Sequence, residues 1–143
     1  MAQKYATLLH RWFEEVWNQG NVDAIDEMLA DDAVINGFND EKGKALCGCE
    51  AFKGLQQMFL PAYPDLKVTI EDYLTDGDKI AVRCHVRATH TGKGLGIEAT
   101  NKPIDFTGMG IARVKDGKIV EAWNEFDFMK MYSQVDALTL KLQ

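Results

Sequence analysis

Apolar positions at the start of the chain recur every three or four residues, which is the period of a helix. The apolar stripe consists of Tyr5, Leu8, Leu9, Trp12, Phe13, Val16 and Trp17. Polar residues interrupt it from Asn18, and Gly20 can take the left-handed backbone conformation that often ends a helix. The side chain of Asn21 can accept a hydrogen bond from a free backbone N–H and so begin a second helix. The pattern predicts two helices before residue 30.

Beyond residue 30 the chain contains one more helical pattern and then a run of strand-like segments. Apolar positions at helical spacing predict a helix over about 50–62, which Pro61 and Pro64 close. A loop is expected ahead of it, over 37–48. Alternating apolar and polar positions indicate β-strands. The predicted strands cover 31–36, 66–70, 79–89, 104–114 and 118–127. The tail over 128–143 can form a helix.

Helices that precede a run of strands are typical of the α+β class. Turn residues at Asp116-Gly117 predict a hairpin, because glycine tolerates positive φ angles. We expect a curved antiparallel sheet wrapped around the N-terminal helices as a cone. A cone of this kind leaves a cavity between helix and sheet, which is the natural place for a small-molecule site.

Length and composition narrow the range of functions. The chain has 143 residues, the size of one domain, so we expect a single domain over 1–143. It carries 16 basic and 22 acidic residues without clustered Lys or Arg, which disfavours nucleic acid and anionic membranes as partners. An uninterrupted apolar stretch long enough for a membrane helix or a signal peptide is missing, so the expected location is the cytoplasm.

Metal and redox sites are not expected either. The three cysteines, at 47, 49 and 84, lack the spacing of zinc or redox motifs and are expected to be free thiols. The three histidines, at 10, 85 and 90, do not form a ligand pair at helical spacing. We therefore expect no metal site.

Six short segments carry a family resemblance in their order along the chain. They are Trp17-Asn18-Gln19-Gly20-Asn21; Asp31-Asp32-Ala33-Val34; Tyr63-Pro64-Asp65-Leu66; Ala88-Thr89-His90-Thr91-Gly92 with Gly96 and Thr100; Gly110-Ile111-Ala112-Arg113; and Asp116-Gly117-Lys118-Ile119-Val120-Glu121-Ala122-Trp123-Asn124 with Asp127. Together they resemble the SnoaL-like polyketide cyclases, or ester cyclases, of the nuclear transport factor 2-like superfamily.

This resemblance implies a cone-shaped, cystatin-like α+β barrel that forms a homodimer through the sheet. It also implies an intramolecular aldol ring closure without metal or organic cofactor. In that chemistry a carboxylate removes a proton α to a carbonyl, which calls for a titratable group in a dry pocket.

Three positions depart from the family pattern. Asn124 follows Trp123 where the cyclases carry their acid–base Asp, and a carboxamide can only form hydrogen bonds at neutral pH. Asn36 stands where the cyclases tend to carry a His, and Met109 lies in a run where they often have another. The positions at which the resemblance implies catalytic groups therefore lack titratable side chains.

Two titratable residues near the expected site are the candidates for proton transfer. Asp127 could replace the missing base, or it could cap the C-terminal helix or pair with an arginine. His90 could serve a ligand carbonyl or shuttle a proton, or it could fix the glycine-rich loop that follows it. Residues three apart in a strand face opposite sides, so only one of Asn124 and Asp127 is expected to line the cavity unless a bulge intervenes.

Three functional hypotheses remain, and the first two share one ligand class. In the first, the protein is a cyclase or isomerase-type enzyme without metal, acting on a small, largely apolar carbonyl compound through Asp127 or His90. In the second, it is a non-catalytic small-molecule binding protein on the same scaffold. A third, weaker hypothesis is a dimerisation module with a filled cavity. The predicted substrate-binding residues are Asn124, Asn36, Trp12, Phe59, Met109 and Trp123.

Overall fold

The computed structural model describes residues 5–40 and 42–137, and it confirms the predicted α+β class. The helices are α1 Leu8–Trp12, which continues as a π-helix over Phe13–Asn18, α2 Asp23–Met28, α3 Gly48–Phe59 and α4 Phe128–Gln134. The strands are β1 Leu29–Asn39, β2 Ala45–Cys47, β3 Lys67–Asp76, β4 Lys79–Thr89, β5 Pro103–Lys115 and β6 Lys118–Phe126. The last residues of the predicted C-terminal helix, 138–143, lie outside the described residues.

The six strands form one open sheet in the order β2-β1-β6-β5-β4-β3. Neighbouring strands pair antiparallel except β1 and β6, which run parallel. The prediction of a loop over 37–48 was wrong in part, because β1 continues to Asn39 and β2 pairs back onto it. Gly37 makes this continuation possible, since its φ of +98° bends the strand past β6 in a conformation that other residues rarely adopt. The N-terminal and C-terminal parts of the chain therefore meet in the middle of the sheet.

Alternation along β5 shows which face of the sheet is covered. Its even-numbered residues from Ile104 to Ala112 are buried, whereas the odd-numbered residues from Pro103 to Ile111 are exposed. The first helix and α3 lie over the inner face, where Trp12 and Trp17 each pack edge-on against Phe52. The core and the candidate site therefore lie between the helices and the inner face of the sheet.

The first predicted helix changes its geometry halfway. The N–H of Gln19 donates to the carbonyl of Glu14, five residues earlier, at 2.9 Å, which is the spacing of a π-helix. The carbonyl of Val16 then accepts a hydrogen bond of 2.8 Å from Nε2 of Gln56, a fully buried residue of α3. Phe13 and Trp17 of this wider turn are buried, and the residue on α3 that bonds Val16 is 40 residues away.

Asn18 joins the end of the π-helix to the start of β3. Its amide Nδ2 donates to the carbonyl of Val68 at 3.0 Å, and its Oδ1 accepts from the N–H of Val68 at 2.7 Å. The side chain thus imitates a neighbouring strand, which satisfies both backbone groups of Val68.

Cys47, Cys49 and Cys84 are free thiols, and burial raises the pKa of Cys84 to about 12. Within the described ranges the structure contains no helix that is both long and apolar enough to cross a membrane.

Candidate ligand-binding cavity

A half-enclosed cavity of about 80 Å³ lies between the helices and the inner face of the sheet. Its walls are almost entirely apolar, and the first helix, α3, the sheet and α4 all contribute aromatic rings to them. These rings belong to Trp12, Phe13, Trp17, Phe38, Phe52, Phe59, Phe106, Phe126 and Phe128. None of the described lining residues is titratable. The cavity therefore favours an apolar compound, because burying apolar surface is stabilising by about 25 cal/mol per Å².

Asn124 is the one polar side chain on the described lining apart from the indoles of two tryptophans. Its Nδ2 donates to the main-chain carbonyl of Asn36 at 3.1 Å. The side chain of Asn36 in turn donates to the main-chain carbonyl of Ala122 at 3.0 Å. Two asparagines thus bridge the parallel strands β1 and β6 and hold one amide at the edge of the cavity.

Three glycines shape the wall around this amide. A Cβ at Gly37 would overlap the main-chain oxygen of Asn124, and a Cβ at Gly108 would overlap the ring of Phe126. At Gly110 a Cβ would lie 3.2 Å from Oδ1 of Asn124, inside the cavity. Sequence reasoning did not select these residues. Two glycines at alternate positions of a predicted strand are nevertheless a signal for close approach on one face.

Phe128, the first residue of α4, closes one side of the cavity. Its ring centroid lies 5.7 Å from that of Phe38, 5.8 Å from Phe59, 6.1 Å from Phe106 and 6.3 Å from Phe126. These distances are within the range of favourable aromatic pairs. A single side chain of α4 therefore joins rings from β1, α3, β5 and β6.

The structure brings together only part of the predicted substrate-binding set. Trp12, Phe59 and Asn124 line the cavity. Asn36 lies behind Asn124 and holds its amide through the main chain. Met109 and Trp123 lie on the outer face of the sheet, 58% and 36% exposed. The strand period explains this separation, because neighbours of Gly110 and Asn124 along the chain must face the other way.

Asp127, the first candidate for proton transfer, caps α4. Its carboxylate is exposed and accepts a hydrogen bond from the N–H of Lys130 at 3.0 Å. This is the capping arrangement that the sequence left open as an alternative. The residue is not among the described lining of the cavity, and its catalytic role stays a prediction.

His90, the second candidate, is fully buried at the end of β4. Its Nδ1 accepts from the N–H of Thr100 at 3.3 Å, so the neutral ring carries its proton on Nε2. Nε2 has no partner among the described residues, and the ring lies 5.2 Å from that of Tyr63. Burial raises the pKa of Tyr63 to about 12. His90 holds the loop at Thr100 in place and does not line the cavity; a catalytic role stays a prediction.

Residues 5–40 and 42–137 contain no group of three or more His, Cys, Asp or Glu side chains that could hold a metal ion. His85 Nδ1 nevertheless lies 3.4 Å from a carboxylate oxygen of Glu71. The imidazole and carboxylate of His85 and Asp105 do pair on the outer face, where Arg87 Nε lies 3.3 Å from the same carboxylate. This ion-paired cluster lies on the opposite side of the sheet from the cavity.

Several solved structures with the same fold are proposed polyketide cyclases. The family model of SnoaL-like polyketide cyclases matches residues 7–135. No curated protein matches the sequence significantly. Among solved structures, the chain is similar to IdmH from Streptomyces antibioticus, a proposed polyketide cyclase. The two are 30% identical, with 94% of this chain and 99% of IdmH covered, at a TM-score of 0.79.

Two further solved structures share this fold. A proposed polyketide cyclase from Bacillus cereus is 27% identical over 97% of this chain and 87% of its own, with a TM-score of 0.78. A protein with a ketosteroid isomerase-like fold from Catenulispora acidiphila is 15% identical over 94% of this chain and 96% of its own, with a TM-score of 0.75. These neighbours confirm the predicted fold. Because the family model covers most of its length, the chain belongs to the SnoaL-like polyketide cyclases.

Proposed function

We propose that this protein binds a small, largely apolar carbonyl compound of polyketide type in the cavity between the helices and the sheet. The observation that carries the proposal is an aromatic-lined cavity with one fixed amide, Asn124, and no titratable side chain on its described walls. Apolar walls with few polar groups are typical of small-molecule sites, in which the polar groups orient the ligand.

The size of the cavity limits the ligand that fits without rearrangement. Its volume of about 80 Å³ is small beside the roughly 300–1,000 Å³ of common ligand pockets. A single ring fills the space, and a larger compound must either extend through the opening or displace a wall. Phe128 is the wall residue at the start of a short helix and is the side chain we expect to move.

Binding is tested by thermal unfolding with and without toluene. A ligand that binds only the folded state stabilises it by about 2.7 kcal/mol at a hundred times its Kd, so toluene is expected to raise the Tm. Gly110→Val fills the space beside Asn124 and is expected to abolish that shift. Gly54→Ala, on an open part of α3, is the matched control and is expected to keep it. Equal shifts in wild type and Gly110→Val would contradict binding in this cavity.

Ring closure on the bound compound is a second candidate, which the family match favours. Ring closure needs a proton acceptor. Because no described lining residue is titratable, that acceptor must be a residue next to the cavity and not one of its walls. Product formation from a polyketide-like substrate would establish turnover. If Asp127 is the base, Asp127→Asn abolishes the pH dependence of the rate, whereas an unchanged rate removes Asp127 from the mechanism. Binding without turnover leaves the non-catalytic function.

We further propose a homodimer formed through the outer face of the sheet. An apolar row crosses four strands there, with each member paired to the next in the strand register. The row consists of Leu74, Ala81, Ile111 and Trp123. Beside it, Met109 is flanked by Arg83 on one strand and Glu125 on the other. A two-fold axis through such a face can set the arginine of one copy against the glutamate of the second.

Ile111→Glu is expected to convert the dimer into a monomer, because it buries a charge in the apolar row. Val22→Glu is the control, since Val22 has a similar exposure but lies in the turn before α2 and is not part of the sheet. Analytical ultracentrifugation of both variants checks the prediction. A monomeric wild-type protein, or an Ile111→Glu protein that stays dimeric, would contradict it.

A further inference from the structure

The orientation of the Asn124 amide decides which chemical group a ligand can present to it. Nδ2 lies 3.1 Å from the main-chain carbonyl oxygen of Asn36, and a carbonyl oxygen can only accept a hydrogen bond. The nitrogen of the amide must therefore face Asn36. The oxygen is then directed to the opposite side, where it lies against Gly110. Oδ1 has no hydrogen-bond donor among the described residues.

The surroundings hold the amide in this orientation. Turning it over would bring Oδ1 against the carbonyl of Asn36, and two acceptors facing each other would leave both without a donor. The backbone cannot move away to relieve this, because Gly37 passes directly over the main chain of Asn124. Asn36 is itself fixed by its hydrogen bond of 3.0 Å to Ala122. The amide therefore directs Oδ1 to the cavity, while one N–H of its nitrogen is held by the carbonyl of Asn36.

No second side-chain acceptor competes with this oxygen on the described lining. The other polar side chains there are Trp12 and Trp17, whose indole N–H groups only donate. A Cβ at Gly110 would stand only 3.2 Å from Oδ1, so the absence of a side chain at this position leaves that face of Oδ1 uncovered. A ligand oxygen seated at this point meets an acceptor.

We propose that the ligand binds Asn124 through a hydrogen-bond donor, namely a hydroxyl, phenol or enol O–H, and not through a bare ketone. The proposal rests on the proposed binding function and narrows its ligand class. For a carbonyl compound that can enolise, the contact with Oδ1 selects the enol, because a ketone oxygen has no proton to donate to it. A polyketide chain supplies such groups, since carbonyls separated by one carbon enolise readily.

Three probes of one size separate donor from acceptor: cyclohexanol, cyclohexanone and methylcyclohexane. Each is titrated by calorimetry into wild type and Asn124→Leu, and the ratio of the two Kd values removes differences in the hydration of the probes. We expect Asn124→Leu to weaken cyclohexanol roughly fivefold more than methylcyclohexane, the effect of one neutral hydrogen bond. Cyclohexanone and methylcyclohexane are expected to show equal ratios.

The outcomes separate the two proposals. If cyclohexanone loses as much affinity as cyclohexanol, the donor requirement is wrong while binding in the cavity stands. If none of the three probes binds the wild type, the proposed binding function itself is overturned. Should Asn124→Leu not fold, the side-chain carbonyl ¹³C resonance of Asn124 in the wild type provides the readout. Cyclohexanol must then shift this resonance and cyclohexanone must not, and the reverse result overturns the proposal.

Discussion

Gly37→Ala is expected to lower the free energy of unfolding by roughly 4 kcal/mol, with comparable parts from backbone strain and from overpacking. Gly37 has a φ of +98°, and its missing Cβ would overlap the main-chain oxygen of Asn124. The backbone fixes the positions of both atoms, because a Cβ is bonded directly to Cα and the Asn124 oxygen belongs to the main chain. No side-chain rotation can therefore relieve the overlap. Urea denaturation followed by tryptophan fluorescence measures the loss.

Gly77→Ala is the matched control for this prediction. Gly77 also has a positive φ, of +59°, but nothing lies within 4 Å of its missing Cβ. Alanine there carries the strain without the overlap, and we expect a loss of only about 1 kcal/mol. If both variants lost the same amount, the close approach of β1 to Asn124 would not contribute to stability. The difference between them therefore measures the cost of the overlap together with the additional strain at a φ of +98°.

Phe128→Ala is expected to reduce the free energy of unfolding by about 3 kcal/mol, the lower end of the range for buried phenylalanines, because Phe128 is partly buried. The substitution removes one ring that contacts four others. It also opens the wall of the cavity, so compounds with two fused rings should bind more tightly. The substitution therefore lowers the stability of the free protein but raises its affinity for two-ring compounds. Naphthalene is expected to raise the Tm of the variant more than that of the wild type.

The adjacent residue of the same helix provides the comparison. Met129 is 62% exposed, so Met129→Ala is expected to change stability by less than about 0.5 kcal/mol. Its response to naphthalene should equal that of the wild type. A Phe128→Ala protein that is destabilised but gains nothing from naphthalene would mean that the cavity collapses, and that Phe128 does not limit ligand size.

Local pattern was enough for those parts of the fold that depend on neighbouring residues. Gly20 has the predicted left-handed φ, at +67°. The Oδ1 of Asn21 accepts from the N–H of Asp23 at 3.1 Å, so this side chain begins α2 as expected. Period-two alternation located β4, β5 and β6 to within a residue or two. These features follow from turn chemistry and hydrophobic period, which are written in consecutive residues.

Features that need a distant partner could not be predicted in this way. The π-helix depends on Gln56, which reaches Val16 from another helix. The extension of β1 depends on β6, far along the chain. Strand period predicted that only one of Asn124 and Asp127 lines the cavity, but not which one, and Trp123 was predicted to line it as well. Only the packed structure shows that Asn124 faces inward with Gly110, while Trp123 pairs with Ile111 outside.

The parallel pairing of β1 with β6 has a consequence for how the binding site comes into being. Asn36 and Asn124 are 88 residues apart, and the amide that faces the cavity is oriented only by their contact. Contacts of such long range close large loops and tend to form late in folding. A nascent or truncated chain without β6 has a hydrophobic surface but no oriented acceptor. Ligand recognition through Asn124 is therefore a property of the fully folded chain. A bound ligand reports that β1 and β6 have paired.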